Sequence, residues 1–433
     1  MKFTFAFKIA VLTIFWLYAA SFSQIVLGEA VSITGSDPAI RIDKISGKIV
    51  VATLESGLPV LHWMDKEGNE TKTSSENAID FVYSSLSFIY IWDLDLDSAG
   101  NAYLLVEKSL ADIWLLVYHF EKDEWGTPFL IEDRTSTGGR AYVGNIAVEA
   151  EGVVHETHWS QKQRGSHGLP YNKISDALST SPQKETLWLV VDGQNGESPD
   201  IAFTTDGKLY AFQKGDGNVF VPVVRTWNGQ SFDEKELTGY SGNHVAEVVG
   251  GCADYEGNAH FVFSAGPNHS SNYGISVASS NEDWEVNTLE QDVGGTPDGV
   301  GPDIAVDQNG TSYVIYQVAD VLKLYTKTKD GSWEKFPEDV ANTNNTSREH
   351  AKISAYENYA AVVYQTDDKT FMRIIQSSLP VAVKNRNHFN IILPSGALQK
   401  TYDVNGRVIK QIGDTRFSGI RINNGSTLGK GQP

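Results

Sequence analysis

The chain of 433 residues contains few of the residues that form disulfides or metal sites or that rigidify loops: one cysteine, three methionines and 14 prolines. A single cysteine excludes an internal disulfide framework, and no cysteine–histidine spacing indicates a zinc site, so we expect neither a metal nor a cofactor. The net charge of −19 argues against nucleic-acid binding. Glycine (39) and aromatic residues (10 Trp, 18 Tyr, 19 Phe) are instead plentiful, which is typical of many short strands joined by tight turns.

The first 28 residues predict a signal peptide. Two lysines precede an apolar run from Ile9 to Ala20, and small residues follow at Ser21, Ser23 and Gly28. A membrane anchor is the alternative, but the run is shorter than the roughly 20 residues that a spanning helix needs. We therefore expect a secreted or cell-surface protein with no membrane span once residues 1–28 are removed.

The C-terminal segment, 381–433, is basic, with eight Lys/Arg and two acidic residues. Removing its charge of +6 and the leader's +2 from −19 leaves −27 for residues 29–380. The stretch LQKTYDVNGRVIKQIGD (398–414) predicts a hairpin that turns at Asn405-Gly406. It resembles the sorting domains of the bacterial type IX secretion system, although the family's "GIY" element is contracted to residues 419–421. The alternative is a small β appendage packed on the main domain.

Residues 29–380 contain seven similar units. Each reads as an apolar strand, a polar turn that ends in glycine, and an aromatic-rich strand. The turn column falls at Gly47, Gly100, Gly152, Gly207, Gly257, Gly310 and Tyr359. The successive gaps of 53, 52, 55, 50, 53 and 49 residues are too even for chance.

Further strands complete each unit. A second aromatic column follows the glycines, at Trp125, Trp188, Phe232, Trp284 and Trp333, and another apolar strand lies between the two columns. Four strands (a to d) in each repeat predict an all-β fold, a seven-bladed β-propeller. The last unit ends after three strands, so we expect residues 29–35 to supply its fourth and close the ring. Because these tryptophans recur with the repeat, we expect them in the core.

The unit resembles the sialidase-like (BNR, Asp-box) propeller superfamily. TKTKDGSW (326–333) approximates the Asp-box hairpin, with one residue fewer. The resemblance implies the fold, because these hairpins are structural in that superfamily. True sialidases carry an Arg-Ile-Pro motif near the start, and the match here, Arg41-Ile42-Asp43, lacks the proline.

An insertion marks the third blade. In an up-and-down meander the b–c and d–a connections share one face, opposite the glycine turns, and variable loops of this kind carry function. The third unit has roughly ten extra residues within 161–184, in a locally basic stretch of a strongly acidic domain. We predict a binding site for an anionic group on this face, formed by Arg134, Arg140, Lys162 and Arg164. Trp159, like Trp63, Trp92 and Trp114, lies off the repeated tryptophan column, so we name these four as candidate stacking surfaces for a ligand.

Catalysis at this loop is a further prediction. Some propeller polysaccharide lyases resemble this chain in fold, and such chemistry needs a cation to neutralise a uronate and a His or Tyr to move the proton. Arg164, His167 and Tyr171 supply these residue types, so we name His167 and Tyr171 as candidate catalytic residues. An ordinary polar loop with the same content is the alternative.

Two polar patterns have structural explanations. In HETH (155–158) the two histidines point to opposite faces of a strand, which excludes a zincin-type pair; we expect His155 and His260 to be packing residues. The polar column that opens strand a (Asp93, Asn145, Asp200 and Asp303) is either a turn motif, which we prefer, or a carboxylate ring around the central channel.

Two functions remain open from the sequence. The first is an exported propeller that binds an extracellular polysaccharide at its variable-loop face, with or without cleaving it. The alternative is a non-catalytic surface scaffold for a protein partner. In either case we expect a monomer that does not bind nucleic acid.

Overall fold

The computed structural model of the protein describes most of residues 24–378 and one hairpin beyond. The described residues are 24–74, 88–108, 112–134, 139–163, 166–190, 197–214, 221–239, 244–266, 273–291, 293, 301–318, 320–342, 351–366, 369–378, 399–402 and 408–412. Two compact units result, one of residues 25–377 and one of residues 1–24 with 378–433. The described part is all-β, with one 3₁₀ turn at Ser280–Glu282. None of its helical segments is long and apolar enough to cross a membrane.

The larger unit is the predicted seven-bladed propeller, because its strands form seven separate antiparallel sheets. The first three blades contain β3 (Ser36–Ile42), β4 (Ile49–Glu55), β5 (Leu58–Met64) and β6 (Glu70–Thr73); β7 (Tyr90–Leu96), β8 (Ala102–Lys108), β9 (Asp112–His119), β10 (Glu124–Trp125) and β11 (Phe129–Asp133); and β12 (Arg140–Val148), β13 (Val154–Gln163), β14 (Ser166–Ser175) and β15 (Gln183–Val190).

The next three blades follow the same order. They contain β16 (Glu197–Phe203), β17 (Leu209–Lys214), β18 (Pro222–Trp227) and β19 (Phe232–Glu236); β20 (His244–Ala253), β21 (Ala259–Gly266), β22 (Gly274–Ser279) and β23 (Asn287–Glu290); and β24 (Asp303–Val306), β25 (Ser312–Val318), β26 (Val321–Lys327), β27 (Glu334–Lys335) and β28 (Ala341–Asn342).

The seventh blade closes the ring by joining the two ends of the propeller. Its inner strands are β29 (Lys352–Tyr356), β30 (Tyr359–Thr366) and β31 (Lys369–Ser378). On the outer side β31 pairs with β1 (Gln24–Leu27) and β2 (Val31–Ile33). The predicted closing strand, 29–35, is therefore confirmed. It is preceded by a second strand, β1, within the segment predicted to be removed.

The hydrophobic core is divided into seven clusters, one at each blade interface. The cluster between blades 7 and 1, for example, packs Ile42 and Val51 against Val363 and Ile374. Each sheet therefore buries both faces against its neighbours, as a propeller requires. The cluster between the last and first blades shows that the ring is closed.

In four blades a hydrogen bond between side chains fastens the glycine turn to the strand that follows it. Asp97 ends strand a of blade 2 and accepts hydrogen bonds from the backbone of Ala99 and Asn101 (both 2.9 Å). The hydroxyl of Tyr103, three residues after Gly100, donates to the same carboxylate (2.9 Å). The equivalent pairs are Glu149–His155, Asp254–His260 and Asp307–Tyr313. The six turn glycines have φ between 70° and 88°, a left-handed conformation that glycine adopts without strain.

The extra residues of blade 3 do not form the long b–c loop that the sequence predicts. They lengthen the second and third strands to ten residues each, so that β13 and β14 stay paired as far as Gln163 and Ser166. The remainder lies in the c–d connection, residues 176–182, on the glycine-turn face. A hairpin that alternates inward and outward side chains accommodates the added length with its backbone hydrogen bonds satisfied.

In the smaller unit, the described residues form the two-stranded antiparallel hairpin β32 (Gln399–Tyr402) and β33 (Val408–Ile412). The predicted hairpin of the basic segment is thus present. Its Asn405-Gly406 turn lies outside the described residues.

Candidate functional site

A polar cavity lies on the propeller axis, enclosed by the innermost strands of all seven blades. Side chains reach it in two layers, because inward-facing residues of a strand are two positions apart. The first axial ring, nearer the d–a connections, comprises Asp93, Asn145, Asp200, Asp303 and Lys352. The second axial ring, two residues further along each strand, includes Arg41, Asp95, Cys252 and Ser354.

The first axial ring fastens neighbouring blades to each other. Asp93 accepts a hydrogen bond from the backbone nitrogen of Ile146 in blade 3 (2.9 Å), and Asp303 accepts one from Ile353 in blade 7 (2.9 Å). The Asn145 amide donates to the carbonyl of Pro199 in blade 4 (2.7 Å). The polar column is therefore both a carboxylate-lined ring and a set of backbone contacts. The sequence favours a turn motif within each blade, but the structure shows that these side chains form hydrogen bonds between neighbouring blades.

Burial changes the protonation of these carboxyl groups. It raises the pKa of Asp200 well above its ordinary value, and the neighbouring charge of Asp93 adds to the effect. Burial also raises the pKa of Asp93 and of Asp303, although Lys352 opposes both shifts. The carboxyl groups of this ring therefore bind a proton more readily than an exposed aspartate does.

In the second axial ring, Arg41 pairs with Asp95 (Nε–Oδ1 2.8 Å) and donates to the carbonyl of Leu94 (3.2 Å). Burial alone would lower the pKa of Arg41, but Asp95 and Asp93 raise it, so the guanidinium stays charged. The thiol of Cys252 remains protonated, because burial raises its pKa. Arg41 belongs to the Arg-Ile-Asp segment compared with the sialidase motif, and in the structure its guanidinium forms an ion pair with Asp95 in the axial cavity.

Tyr255 crosses the axis at the glycine-turn end of the cavity. It extends from blade 5, and its hydroxyl donates to the carbonyl of Ala355 in blade 7 (3.3 Å). The ammonium of Lys44, from blade 1, lies 5.8 Å from its ring centre. Lys44 and Tyr255 both line the cavity at this end. The cavity volume of about 70 Å³ admits a few water molecules or a small polar group, but not a sugar ring.

Within the part of the chain that the structure describes, no cluster of three or more His, Cys, Asp or Glu residues could hold a metal ion. The carboxyl groups of the first axial ring face Lys352 and backbone N–H groups instead.

Arg134, predicted to bind ligand, is buried between blades 2 and 3. Its guanidinium pairs with Glu132 and donates to the hydroxyl of Ser160 (Nε–Oγ 3.1 Å). Ser160 in turn donates to Glu132 (3.1 Å). The described contacts of Arg134 are therefore structural.

Tyr171 and Trp159 lie in the interface between blades 3 and 4. The hydroxyl of Tyr171 bonds Nδ1 of His155 (2.7 Å), and its ring packs against Trp227 and Phe232. Burial raises the pKa of this phenol, so it holds its proton. Trp159 belongs to the same cluster and is 5% exposed, so it offers no stacking platform. Neither side chain is placed to touch a polymer on the surface.

The remaining predicted residues lie towards the variable-loop face. Arg140 begins β12, Lys162 is next to the last residue of β13, and His167 pairs with Gln161 across the hairpin. The side chains of these three residues and the whole of Arg164 lie outside the described residues. The backbones of Arg140, Lys162 and His167 thus lie at the same end of blade 3, and the predicted side-chain cluster itself lies outside the described residues.

The two histidines of HETH face opposite interfaces, as predicted. His155 contacts Tyr171 and Glu149 on the blade 4 side. His158 lies on the blade 2 side, with Nδ1 bonded to Glu156 (2.8 Å) and Nε2 bonded to Glu132. His155 and His260 are both buried, which confirms the expected packing role.

Solved structures that resemble this chain include a Dyadobacter fermentans protein of unknown function (13% identity, 82% of this chain and 99% of that chain, TM-score 0.48). They also include the Penicillium chrysogenum α-L-arabinanase complexed with arabinobiose (12%, 67% and 93%, 0.46) and the Aleuria aurantia lectin with α-methyl-L-fucoside (11%, 72% and 98%, 0.43). No protein-family description matches the chain, and no curated protein matches it. Identities of this size do not relate the chain to any of these proteins in activity.

Among the residues that the structure describes, Trp188 is exposed although the sequence does not predict it. Trp188, expected in the core, is 38% exposed on the outer strand of blade 3, whereas Trp63 and Trp92 are buried. Sequence reasoning also missed the cooperation of Arg41, Asp95 and Lys352 with the aspartate column. Their positions in the repeat were the available signal. Lys352 occupies the aspartate position in blade 7. Arg41 and Asp95 each lie two residues after the aspartate position of their own blade.

Proposed function

We propose that the protein is an exported propeller that binds an extracellular glycan on the face formed by the b–c and d–a connections. The observation that carries this proposal is the axial cavity, which is polar, occupied by Tyr255 at the glycine-turn end, and lined towards the opposite face by the first axial ring. Export rests on the signal-like leader and the sorting-like C-terminal segment.

The first axial ring has the chemistry that recognises hydroxyl groups. A hydroxyl both donates and accepts hydrogen bonds, and the ring offers carboxyl groups, an amide and an ammonium. Because the cavity is smaller than a sugar ring, one or two hydroxyl groups would enter it while the rest of the ligand lies across the face. Arg140, Lys162 and Arg164 are the residues predicted to contact that remainder.

Cleavage of the glycan is a separate part of the proposal. Tyr171 is buried and hydrogen-bonded to His155, so proton transfer would fall to His167, with Arg164 as the cation. Lyase action would create unsaturated uronate ends, which absorb in the ultraviolet. Their appearance with the wild type and loss in Arg164→Ala/His167→Ala would support catalysis, whereas no new absorbance on any uronate polymer would leave a binding protein.

Binding is tested by screening the full chain against neutral and acidic polysaccharides by affinity electrophoresis and calorimetry. We expect Lys162→Ala/Arg164→Ala to weaken binding by at least about tenfold. The matched control, Lys122→Ala/Lys208→Ala, removes two exposed lysines from the glycine-turn face and should leave affinity unchanged. Asp200→Asn tests the axial ring and should also weaken binding. No glycan bound, or equal losses in both lysine pairs, would overturn the proposal.

A protein partner is the second candidate, and the outer edge of blade 3 favours it. Leu187 and Trp188 are 42% and 38% exposed on β15, and Leu178 lies 38% exposed in the adjoining c–d connection. Exposed apolar side chains on an outer strand are a frequent feature of interaction sites. Loss of a partner with Leu187→Ser/Trp188→Ser, together with no glycan binding, would favour this function.

A further inference from the structure

The outermost strand of blade 7, β1 (Gln24–Leu27), lies within the 28 residues that the sequence assigns to the leader. Side chains of this strand alternate between the blade interface and solvent. Ile25 and Leu27 pack against the hydrophobic cluster between blades 6 and 7, whereas Val26 is 47% exposed. Such an alternation is typical of a strand that belongs to the sheet.

The residue that follows β1 is also tied to the blade. The backbone nitrogen of Gly28 donates to the carbonyl of Ile374 (2.8 Å), and Arg373 Nε donates to the carbonyl of Gly28 (2.9 Å). A β-carbon on Gly28 would lie 3.1 Å from the Ile374 carbonyl oxygen, so the two backbones approach closely. A mature chain beginning at Glu29 would lose both hydrogen bonds and the packing of Ile25 and Leu27.

The preceding sequence offers a suitable cleavage site immediately before this strand. The apolar run ends at Ala20, and Ser21-Phe22-Ser23 follows. Signal peptidases recognise small residues one and three positions before the cut, and Ser21 and Ser23 meet that requirement. Cleavage after Ser23 removes the whole apolar run and leaves every residue of β1 on the mature protein.

We propose that the leader is cleaved between Ser23 and Gln24, and that Gln24–Leu27 is a structural strand of the mature propeller. Cleavage hydrolyses the Ser23–Gln24 peptide bond and leaves the new α-amino group on Gln24. This inference rests on the export part of the proposed function, but it does not depend on the ligand. In the mature protein, two short outer strands would then pair with β31 of the seventh blade: β2 with one part of it and β1 with another.

The first experiment determines the N-terminus. The full chain is expressed in a bacterial host, and the exported protein is examined by intact mass and peptide mapping. We expect a chain that begins at Gln24, with or without loss of ammonia from its side chain by cyclisation. A start at Glu29 or beyond would overturn the cleavage site while leaving export intact. A retained leader would contradict export itself.

The second experiment tests the strand independently of export. In a chain produced from Gln24 onward, Ile25→Ser/Leu27→Ser should lower Tm by several degrees, because both side chains leave an apolar cluster. Val26→Ser is the matched control, since its side chain is largely in solvent, and should leave Tm unchanged. A version that begins at Glu29 should resemble the double variant. Equal Tm values for all four proteins would show that β1 contributes nothing to the fold.

Discussion

Blade 3 is buried on both sides, and its two interfaces are stabilised by opposite kinds of contact. Towards blade 4 the interface is aromatic, with the His155 ring stacked on Phe203 at 4.8 Å and Tyr171 against Trp227. Towards blade 2 it contains a chain of charged groups centred on His158. The same strand, β13, supplies both histidines, so the difference arises from what each neighbouring blade presents.

At these two positions the pKa shifts of the histidines have opposite directions, and the facing carboxylates account for the difference. Burial lowers the pKa of His155, and the single carboxylate of Glu149 only partly opposes this. Burial would also lower the pKa of His158, but Glu156 and Glu132 together raise it to about 9. His158 is therefore the buried cation of one interface, while His155 is a neutral ring in the other.

Removing the buried cation should have the largest effect. His158→Leu leaves Glu132 and Glu156 without their shared partner, and breaking a buried ion pair from one side costs about 3–5 kcal/mol. We expect a loss of that size in the free energy of unfolding, measured by urea denaturation at pH 7. The matched control is His155→Tyr, because tyrosine occupies this position in other blades; it should cost far less. Equal losses would contradict the comparison.

The two histidines should also differ in pH dependence. The folded pKa of His158 is above its unfolded value, so its contribution is fully present below about pH 6.5 and is lost as the pH rises through about 9. The folded pKa of His155 is below its unfolded value, so its contribution decreases as the pH falls below about 6.5. We therefore expect opposite slopes when the free energy of unfolding of each variant, His158→Gln or His155→Gln, is subtracted from that of the wild type and plotted against pH. The difference should decrease with rising pH for His158 and increase for His155.

Two aspartates at the glycine turns of blades 5 and 6 also have pKa shifts of opposite direction. Burial alone would raise the pKa of Asp254, but the hydrogen bonds from His260 and Asn258 together lower it to about 2. Burial raises the pKa of Asp307, which faces Tyr313, to about 6. Each shift of about two pKa units corresponds to about 2–3 kcal/mol. Asp254 thus loses its stabilising contribution as the pH falls from about 4 through 2, and Asp307 as it rises from about 4 through 6.

Substitution by asparagine should separate these two turns. At pH 7, Asp254→Asn should destabilise by up to about 2 kcal/mol, because its amide group would face the donors of His260 and Asn258. Asp307→Asn removes a carboxylate that is costly to ionise and should be neutral or stabilising. Urea denaturation at pH 7 and pH 4 measures both, and the opposite order at pH 7 would refute the assigned directions.

The sequence predicted the framework well because the repeat encodes it. A glycine recurs at six of the seven a–b turns, and in five blades an aromatic or histidine ring follows three residues later, so the blades could be counted. The strand period likewise placed His155 and His158 on opposite faces. Burial was harder to predict. Arg134 and Trp159 are residue types that often occur on binding faces, but both are buried against a neighbouring blade. The residues that cover them are remote in sequence, so the local pattern does not reveal the burial. The sequence QIVL (24–27), which the prediction assigns to the leader, forms strand β1 in the structure, because it reads equally as the end of a leader or as a strand.

The smallest effect expected from the comparison concerns the aromatic interface itself. Tyr171→Phe keeps the ring against Trp227 and Phe232 and removes only the hydroxyl that bonds His155 Nδ1. The net loss of one buried hydrogen bond is about 1 kcal/mol. If packing stabilises this interface, Tyr171→Phe should cost no more than that, while Tyr171→Ala should cost several times as much. Near-equal losses would show that the hydroxyl matters more than the ring, and would reopen a functional role for Tyr171.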